Sequence, residues 1–193
     1  GIEQIHIESM KTLTLGSAGR STDLPGGLRY TIGYGHAILA DRKQALCPLP
    51  VIDGEYIIKV PGTTQLPGWR ITASLPKNSS RIIVRNKNAF IQTFDHQSLP
   101  DNLVVRARRA GDRFQPLGMP KSKKLHDFMI DASIAHWDRD CIPIVESSRG
   151  IIWVVGWQIA EWAKVREESH RQLILQFDQR IYIRENLHPK ASG

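Results

Sequence analysis

Residues 103–127 read LVVRARRAGDRFQPLGMPKSKKLHD, and this stretch decides how the rest of the chain is read. It begins as a strand. Val105 and Ala107 are small and apolar while Arg106 and Arg108 are basic, and a period of two would set both arginines on one face. A glycine-containing loop at Gly111-Asp112 follows, where side chains crowd the backbone least. Pro120 and Ser122 then mark the start of a helix, with Ser122 able to serve as N-cap. Leu125, Phe128, Met129 and Ala132 stand at i, i+3, i+4 and i+7, the apolar stripe of an amphipathic helix. The stretch therefore predicts a strand, a loop and a helix in succession.

Its charge is as informative as its periodicity. Arg106, Arg108, Arg109, Arg113, Lys121, Lys123 and Lys124 are opposed between positions 103 and 124 only by Asp112. The whole chain carries a formal +7 from 26 Lys and Arg against 19 Asp and Glu, so the remaining residues are almost balanced, nineteen basic against eighteen acidic. A local basic excess is the footprint of a polyanion site. Free N–H groups at the helix mouth would add donors for an incoming phosphate. These residues, with Ser122, are the candidate binding set. A solvated basic surface without a partner is the alternative reading.

Outward from this unit the chain reads as short strands. Tyr56–Val60, Trp69–Ala73, Arg81–Arg85, Ala89–Phe94, Ile151–Val155 and Leu173–Phe177 are apolar or alternating runs bounded by turn residues such as Pro61-Gly62, Pro67-Gly68 and Asn86-Lys87-Asn88. A second short helix is expected over Ser133–Asp140. Before position 54 the pattern differs. Ile2–Leu15 predicts a short helix, Gly16–Thr22 a loop, Asp23–Gly27 a turn, and Leu28–Gly33 with His36–Ala40 a β-hairpin around Tyr34-Gly35. Asp41–Asp53, with Pro48 and Pro50, is the best linker. The expected class is α+β: short, mostly antiparallel strands with one or two packed helices, preceded by a small helix/β-hairpin segment. The expected division is residues 1–53, 54–185 and a loose tail at 186–193.

Several function classes find no support. No apolar run approaches the roughly 18 residues of a membrane span, and the N-terminus Gly1-Ile2-Glu3-Gln4-Ile5-His6 has no signal-peptide pattern. Two cysteines, Cys47 and Cys141, make neither a disulfide framework nor a Cys-rich zinc site, so a soluble protein of a reducing cytoplasm is the default expectation. There is no G-x-x-x-x-G-K-[ST], H-E-x-x-H or C-x-x-C, and Gly33-Tyr34-Gly35 lacks the third glycine of a dinucleotide fingerprint. His126 and Asp127, with Asp131 and His136 nearby, could be drawn as an acid/base cluster, but adjacent residues on a helix face different ways. Trp137, Trp153, Trp157 and Trp162 could stack bases, although Trp153 inside an apolar strand reads as core.

The 103–127 stretch resembles the hallmark of the C-terminal domain of the tRNA(Ile)-lysidine synthetase family, with its G-D-R-F and K-S-K-K-L blocks in that order. The similarity continues through Phe128, Asp131, Arg139, Ile142-Pro143 and Ile152-Trp153-Val154 to Gly156. Asp23–Arg29 (DLPGGLR) with Tyr34-Gly35 is similar to the segment before that domain. The resemblance implies an ATP-dependent ligase that adenylates the wobble cytidine of the CAU-anticodon tRNA(Ile), after which lysine displaces AMP. ATP and Mg2+ would belong to an N-terminal PP-loop module carrying S-G-G-x-D-S, a motif these 193 residues lack. No catalytic residue, metal site or cofactor is therefore expected within this portion. It would supply recognition of the tRNA body and acceptor stem through Arg106, Arg108, Arg109, Arg113, Lys121, Ser122, Lys123 and Lys124. The family domain also resembles part of the phenylalanyl-tRNA synthetase β-subunit, again a translation setting.

Other readings stay open at this level. A non-catalytic protein-interaction module could offer the same basic patch to an acidic partner. A hydrolase using His126 and Asp127 would need a pocket that the sequence does not show. The sequence also leaves open whether the chain forms a homodimer.

Overall fold

Period-two patterning dominates, and it yields fourteen short strands against two α-helices among the described residues. The computed structural model describes residues 1–15, 20–32, 37–41, 49–76, 88–100, 102–134 and 136–180. The expected strand Arg81–Arg85, the tip of the first hairpin, Cys47 and the tail 186–193 lie outside these residues.

The N-terminal helix forms where the sequence places it, as α1 (Gln4–Thr14), with Glu3 N donating to His6 Nδ1 at 3.0 Å across the first turn. It buries none of its residues and lies beside β1 (Ser21–Leu24) and β2 (Leu28–Ile32). These strands and β3 (Ala37–Asp41) form an antiparallel sheet in the order β1-β2-β3. The turn expected over Asp23–Gly27 is narrower. Asp23 and Leu24 belong to β1, and only Pro25–Gly27 turns, with Gly26 and Gly27 at φ +77° and +75°.

Two larger sheets follow. Their strands are β4 (Glu55–Ile58), β5 (Gly62–Leu66), β6 (Trp69–Ser74), β7 (Ile91–Asp95), β8 (Leu103–Arg106), β9 (Arg113–Phe114), β10 (Lys123–Lys124), β11 (Ile144–Ser147), β12 (Gly150–Val154), β13 (Gln158–Ile159) and β14 (Gln172–Gln179). One sheet runs β13-β12-β11-β8-β4 and the other β5-β6-β14-β7, and every pairing is antiparallel. Strands β9 and β10 form a separate two-stranded ladder. The fold is α+β with mostly antiparallel strands.

The sheets share one apolar core, because alternate residues of each strand turn inward. Trp69, Ile71 and Ala73 of β6 are buried while Arg70 and Ser74 are exposed. Trp153 of β12 packs edge-on against Phe94 of β7 and Phe177 of β14, with ring centroids 5.7 and 5.3 Å away, and so joins the two sheets. The base-stacking reading fails for this tryptophan, which is core. Leu49 and Ile52 enter the same core, and Trp69 Nε1 donates to the Pro50 carbonyl at 2.9 Å. The end of the stretch read as linker is therefore packed chain.

Helix α2 (Leu125–Asp131) carries the expected stripe: Leu125 and Met129 are buried, Phe128 and Ala132 partly so. Its start differs from expectation. Lys124 is the residue before the first turn, and Ser122 provides no cap. The helix ends at Asp131, with Ala132 as its C-cap and a left-handed Ser133 (φ +55°) after it, and a single 3-10 turn at His136–Asp138 replaces the expected second helix. Strands β5 and β11 were not expected. In β5 the inward Thr64 is polar, its Oγ1 accepting from Lys59 N at 2.9 Å, so the hydrophobic alternation is masked. No helix among the described residues is long and apolar enough to cross a membrane.

Candidate nucleic-acid interface

The 103–127 unit folds around a buried arginine. Strand β8 ends at Arg106, whose side chain turns inward and is only 3% exposed. Its guanidinium grips Asp112 with both ends, Nη1 to Oδ2 and Nη2 to Oδ1, each at 2.9 Å. Nη1 also donates to the Ala107 carbonyl at 2.9 Å, and Nη2 to Glu146 of β11. Burial alone would lower this group's pKa. The hydrogen bonds it donates to Glu146 and Asp112, with the charges of those carboxylates, outweigh burial and raise it above the ordinary arginine value. Arg106 is thus fixed as a cation inside the fold. The expectation that it shares an outer face with Arg108 is corrected: the strand ends before Arg108, and partners for Arg106 lie 6 and 40 residues along the chain.

Asp112 also builds the loop. Its Oδ2 accepts from Arg109 N at 2.7 Å, its own N donates to the Arg109 carbonyl at 3.3 Å, and its carbonyl receives Leu125 N at 2.8 Å. Between them Gly111 sits at φ +86°, a left-handed conformation that favours glycine. One residue therefore ties three elements together: the Asp112 carboxylate joins β8 to the 109–112 turn, and its carbonyl holds the start of α2. Asp112 does not pair with Arg113. Arg113 instead donates from Nη2 to the Ser122 carbonyl at 3.3 Å, so Ser122 contributes its backbone.

Counter-ions divide the remaining cations. Arg109 pairs with Glu55 of β4 and, at 3.7 Å, with Glu146. Arg106 and Arg109 together thus meet three carboxylates, Asp112, Glu146 and Glu55, so these two of the seven basic residues carry no local positive excess. Arg108 Nε donates to Asp140 at 2.6 Å, and Lys123 pairs with Asp131. Arg113, Lys121 and Lys124 are exposed and have no carboxylate partner among the described residues. Local sequence could not reveal this division, because Glu55, Asp140 and Glu146 come from distant strands and turns.

A cleft of about 250 Å³ is lined by Arg108, Arg109, Gly111, Asp112 and His126 among others, and of the free cations by Lys124. Helix α2 has seven residues, and Lys123 and Lys124 belong to strand β10. The lysines therefore reach the helix start on a strand, with Lys124 at the N-cap, and the first N–H there, that of Leu125, is already taken by the Asp112 carbonyl. His126 and Asp127 are both exposed, and Asp131 is occupied by Lys123, so no acid/base constellation assembles there. Among the described residues no three His, Cys, Asp or Glu side chains converge as metal ligands would.

The neighbouring loop is braced as well. Leu117 N donates to the Ile159 carbonyl at 2.9 Å, and Gly118 N to Glu161 Oε2 at 2.8 Å. That backbone donor, followed by Lys164, holds the Glu161 carboxyl below its ordinary value. Arg149 lies over the Trp162 ring at 4.3 Å, so this indole face is covered.

Comparison with known proteins matches this same region. Residues 103–175 match the family described as the TilS substrate C-terminal domain. The tRNA(Ile)-lysidine synthase of Dehalococcoides mccartyi is 36% identical over 176 residues, which cover 91% of this chain and 37% of that protein. That of Caldanaerobacter subterraneus is 30% identical over 177 residues, covering 92% and 37%. The chain thus spans a little over a third of the length of these curated relatives. A crystal structure titled TILS C-terminal domain superposes with a TM-score of 0.53 at 30% identity, covering 67% of this chain and all of that one. The chain belongs to the tRNA(Ile)-lysidine synthase family and corresponds to its C-terminal portion.

Proposed function

We propose that this chain is the tRNA-gripping portion of a tRNA(Ile)-lysidine synthase, the ATP-dependent ligase that attaches lysine to the wobble cytidine of CAU-anticodon tRNA(Ile). ATP, Mg2+ and lysine belong, on this reading, to a part of the enzyme carrying S-G-G-x-D-S, absent from these 193 residues. The observation that carries the proposal is the set of three uncompensated cations, Arg113, Lys121 and Lys124, around a turn immobilised by Arg106 and Asp112. Phosphates are the chemistry such a surface fits. An A-form stem hides its major groove, so the contacts go to backbone and minor groove. Arg108 and Lys123 can join by exchanging an exposed carboxylate for a phosphate. Arg106 holds the scaffold, and Arg109 stays with Glu55 and Glu146. We also assign the N-terminal helix and three-stranded sheet to a separate recognition module, joined to the core-bearing module before Leu49.

Binding of unmodified tRNA(Ile) across a salt series tests this. Lys121→Ala with Lys124→Ala should flatten the plot of log K against log salt by up to about two units, near 0.9 per lost duplex phosphate contact. The loss should be equal for isoleucine and methionine tRNAs, because phosphate contacts position without specifying. A polyglutamate competitor should not displace the tRNA at matched charge. An unchanged slope, or displacement by polyglutamate, overturns the proposal, and displacement would favour an acidic protein partner.

A further inference from the structure

We infer that Arg113 and Lys124 form a two-cation clamp for a single phosphate group, assembled at a cost to the unliganded fold. The inference rests on the polyanion-binding reading above and names the ligand contact within it. Arg113 and Lys124 are direct partners across the β9-β10 ladder. Directly opposite residues project to one face with neighbouring Cβ atoms, and like charges so placed destabilise the pairing. Neither residue has a carboxylate partner among the described residues, whereas Arg106, Arg108, Arg109 and Lys123 each have one. The carboxylate next to Arg113 in sequence, Asp112, is committed to Arg106 and to the Arg109 N–H.

The juxtaposition is imposed from both sides. Asp112 precedes Arg113 and Leu125 follows Lys124, and the Leu125 N–H donates to the Asp112 carbonyl at 2.8 Å. Below them Phe114 meets Phe128 edge-on at 5.0 Å, which fixes the ladder against α2. A ladder of two residues per strand has little pairing energy of its own, so its register depends on this anchorage. The Arg113 guanidinium spends one donor on the Ser122 carbonyl, which draws it across β10 and leaves others free. One phosphate between the two side chains would remove the repulsion and receive a planar fork from one side and a point charge from the other.

Two linked double-mutant cycles test this on the whole chain. Without ligand at low salt, Arg113→Gln or Lys124→Gln should each raise Tm by about 1–3 °C, the double variant should gain little more, and the gain should fade in high salt. With tRNA, each single variant should weaken binding, and the double variant should lower the salt slope by about one unit, the value for one shared phosphate. Single variants that lower Tm or leave it unchanged overturn the repulsion, and slope losses that sum to two units overturn the shared phosphate. If the parent chain binds no tRNA, the functional proposal fails on its own. A titration with inorganic phosphate then decides the clamp: the Arg113 and Lys124 side-chain NMR signals should shift with one midpoint, and separate midpoints or no shift refute it.

Discussion

Removal of the Asp112 carboxylate is the sharpest test of how the basic loop is held. Asp112→Ala deletes two hydrogen bonds to a guanidinium whose side chain is 4% exposed, and a third to Arg109 N. Stranding one member of a buried ion pair costs about 3–5 kcal/mol. Glu146 still accepts from Arg106, which favours the lower end, near 3 kcal/mol. The lost turn hydrogen bond adds about 1 kcal/mol or less, because water can reach that N–H. A total near 3–4 kcal/mol corresponds to a Tm lower by about 6–16 °C for a chain of this size. Urea denaturation followed by circular dichroism measures it directly, with the midpoint falling by about 1.5–2 M for an m-value near 2 kcal/mol/M. The loss should persist in 1 M NaCl, because screening acts weakly on a buried pair. Arg106 itself brings no pH dependence to this test: its raised pKa keeps its contribution intact below the ordinary arginine value, and the contribution is lost only as pH rises through the folded one. A loss below about 1 kcal/mol, or one that vanishes in high salt, would refute the assignment of Asp112 as the buried anchor.

Two further outcomes follow from backbone geometry and from a carboxylate. Gly68 (φ +74°) closes the β5-β6 turn where an added Cβ would lie 2.2 Å from Pro50 Cβ, whereas Gly111 (φ +86°) has open space around it. Both alanine variants pay the left-handed strain, about 1 kcal/mol or more, but only Gly68→Ala must also displace Pro50. Gly68→Ala should therefore lose about 2–4 kcal/mol and Gly111→Ala about 1–2 kcal/mol by chemical denaturation, and equal losses would contradict the contact. Glu161 is held below its ordinary value of 4.5, first by the Gly118 N–H, so its contribution is full above that value and is lost as pH falls through the lower folded one. The Gly118 amide resonance should titrate with a midpoint below 4.5 and should not titrate in Glu161→Gln, while a midpoint at or above 4.5 would remove the hydrogen bond from the account.

What the sequence discloses and what it hides divide along a physical line. Strands with a clean inside and outside were legible: Trp69–Ala73, Ile151–Val155 and Leu173–Phe177 lie within or along β6, β12 and β14, because alternation or continuous apolarity reports burial directly. The apolar stripe of α2 was legible for the same reason. Strand β5 was not, since its inward Thr64 satisfies a backbone donor and does not announce a buried position. The helix start was misplaced because Ser122 has the side chain of an N-cap, yet the chain passes through one more strand before turning. At the candidate interface the sequence discloses residue types but not their accessibility. A basic run shows its charge in the sequence, but counter-ions drawn from positions 55, 131, 140 and 146 appear only once the sheets form.

This divided charge bears on how such a surface could bind without binding everything. Asp131 and Asp140 have side chains about two-thirds exposed, and exposed ion pairs are worth about 0–1 kcal/mol, so Lys123 and Arg108 lose little by exchanging a carboxylate for a phosphate. Each such contact is then nearly an even exchange, and it adds affinity only where the phosphate geometry is better than the carboxylate's. Arg113, Lys121 and Lys124 have no carboxylate to surrender among the described residues, so a phosphate gained there is a net gain. Arg106 stands at the other extreme, where leaving Asp112 and Glu146 would strand buried charge. With Arg109 kept between Glu55 and Glu146 beside Arg106, the run of seven like-charged side chains becomes three tiers, fixed by burial and by the distance to a carboxylate. On the proposed reading, non-specific polyanion affinity is limited by the first tier, the free cations. Discrimination by shape falls to the exchangeable pairs around it.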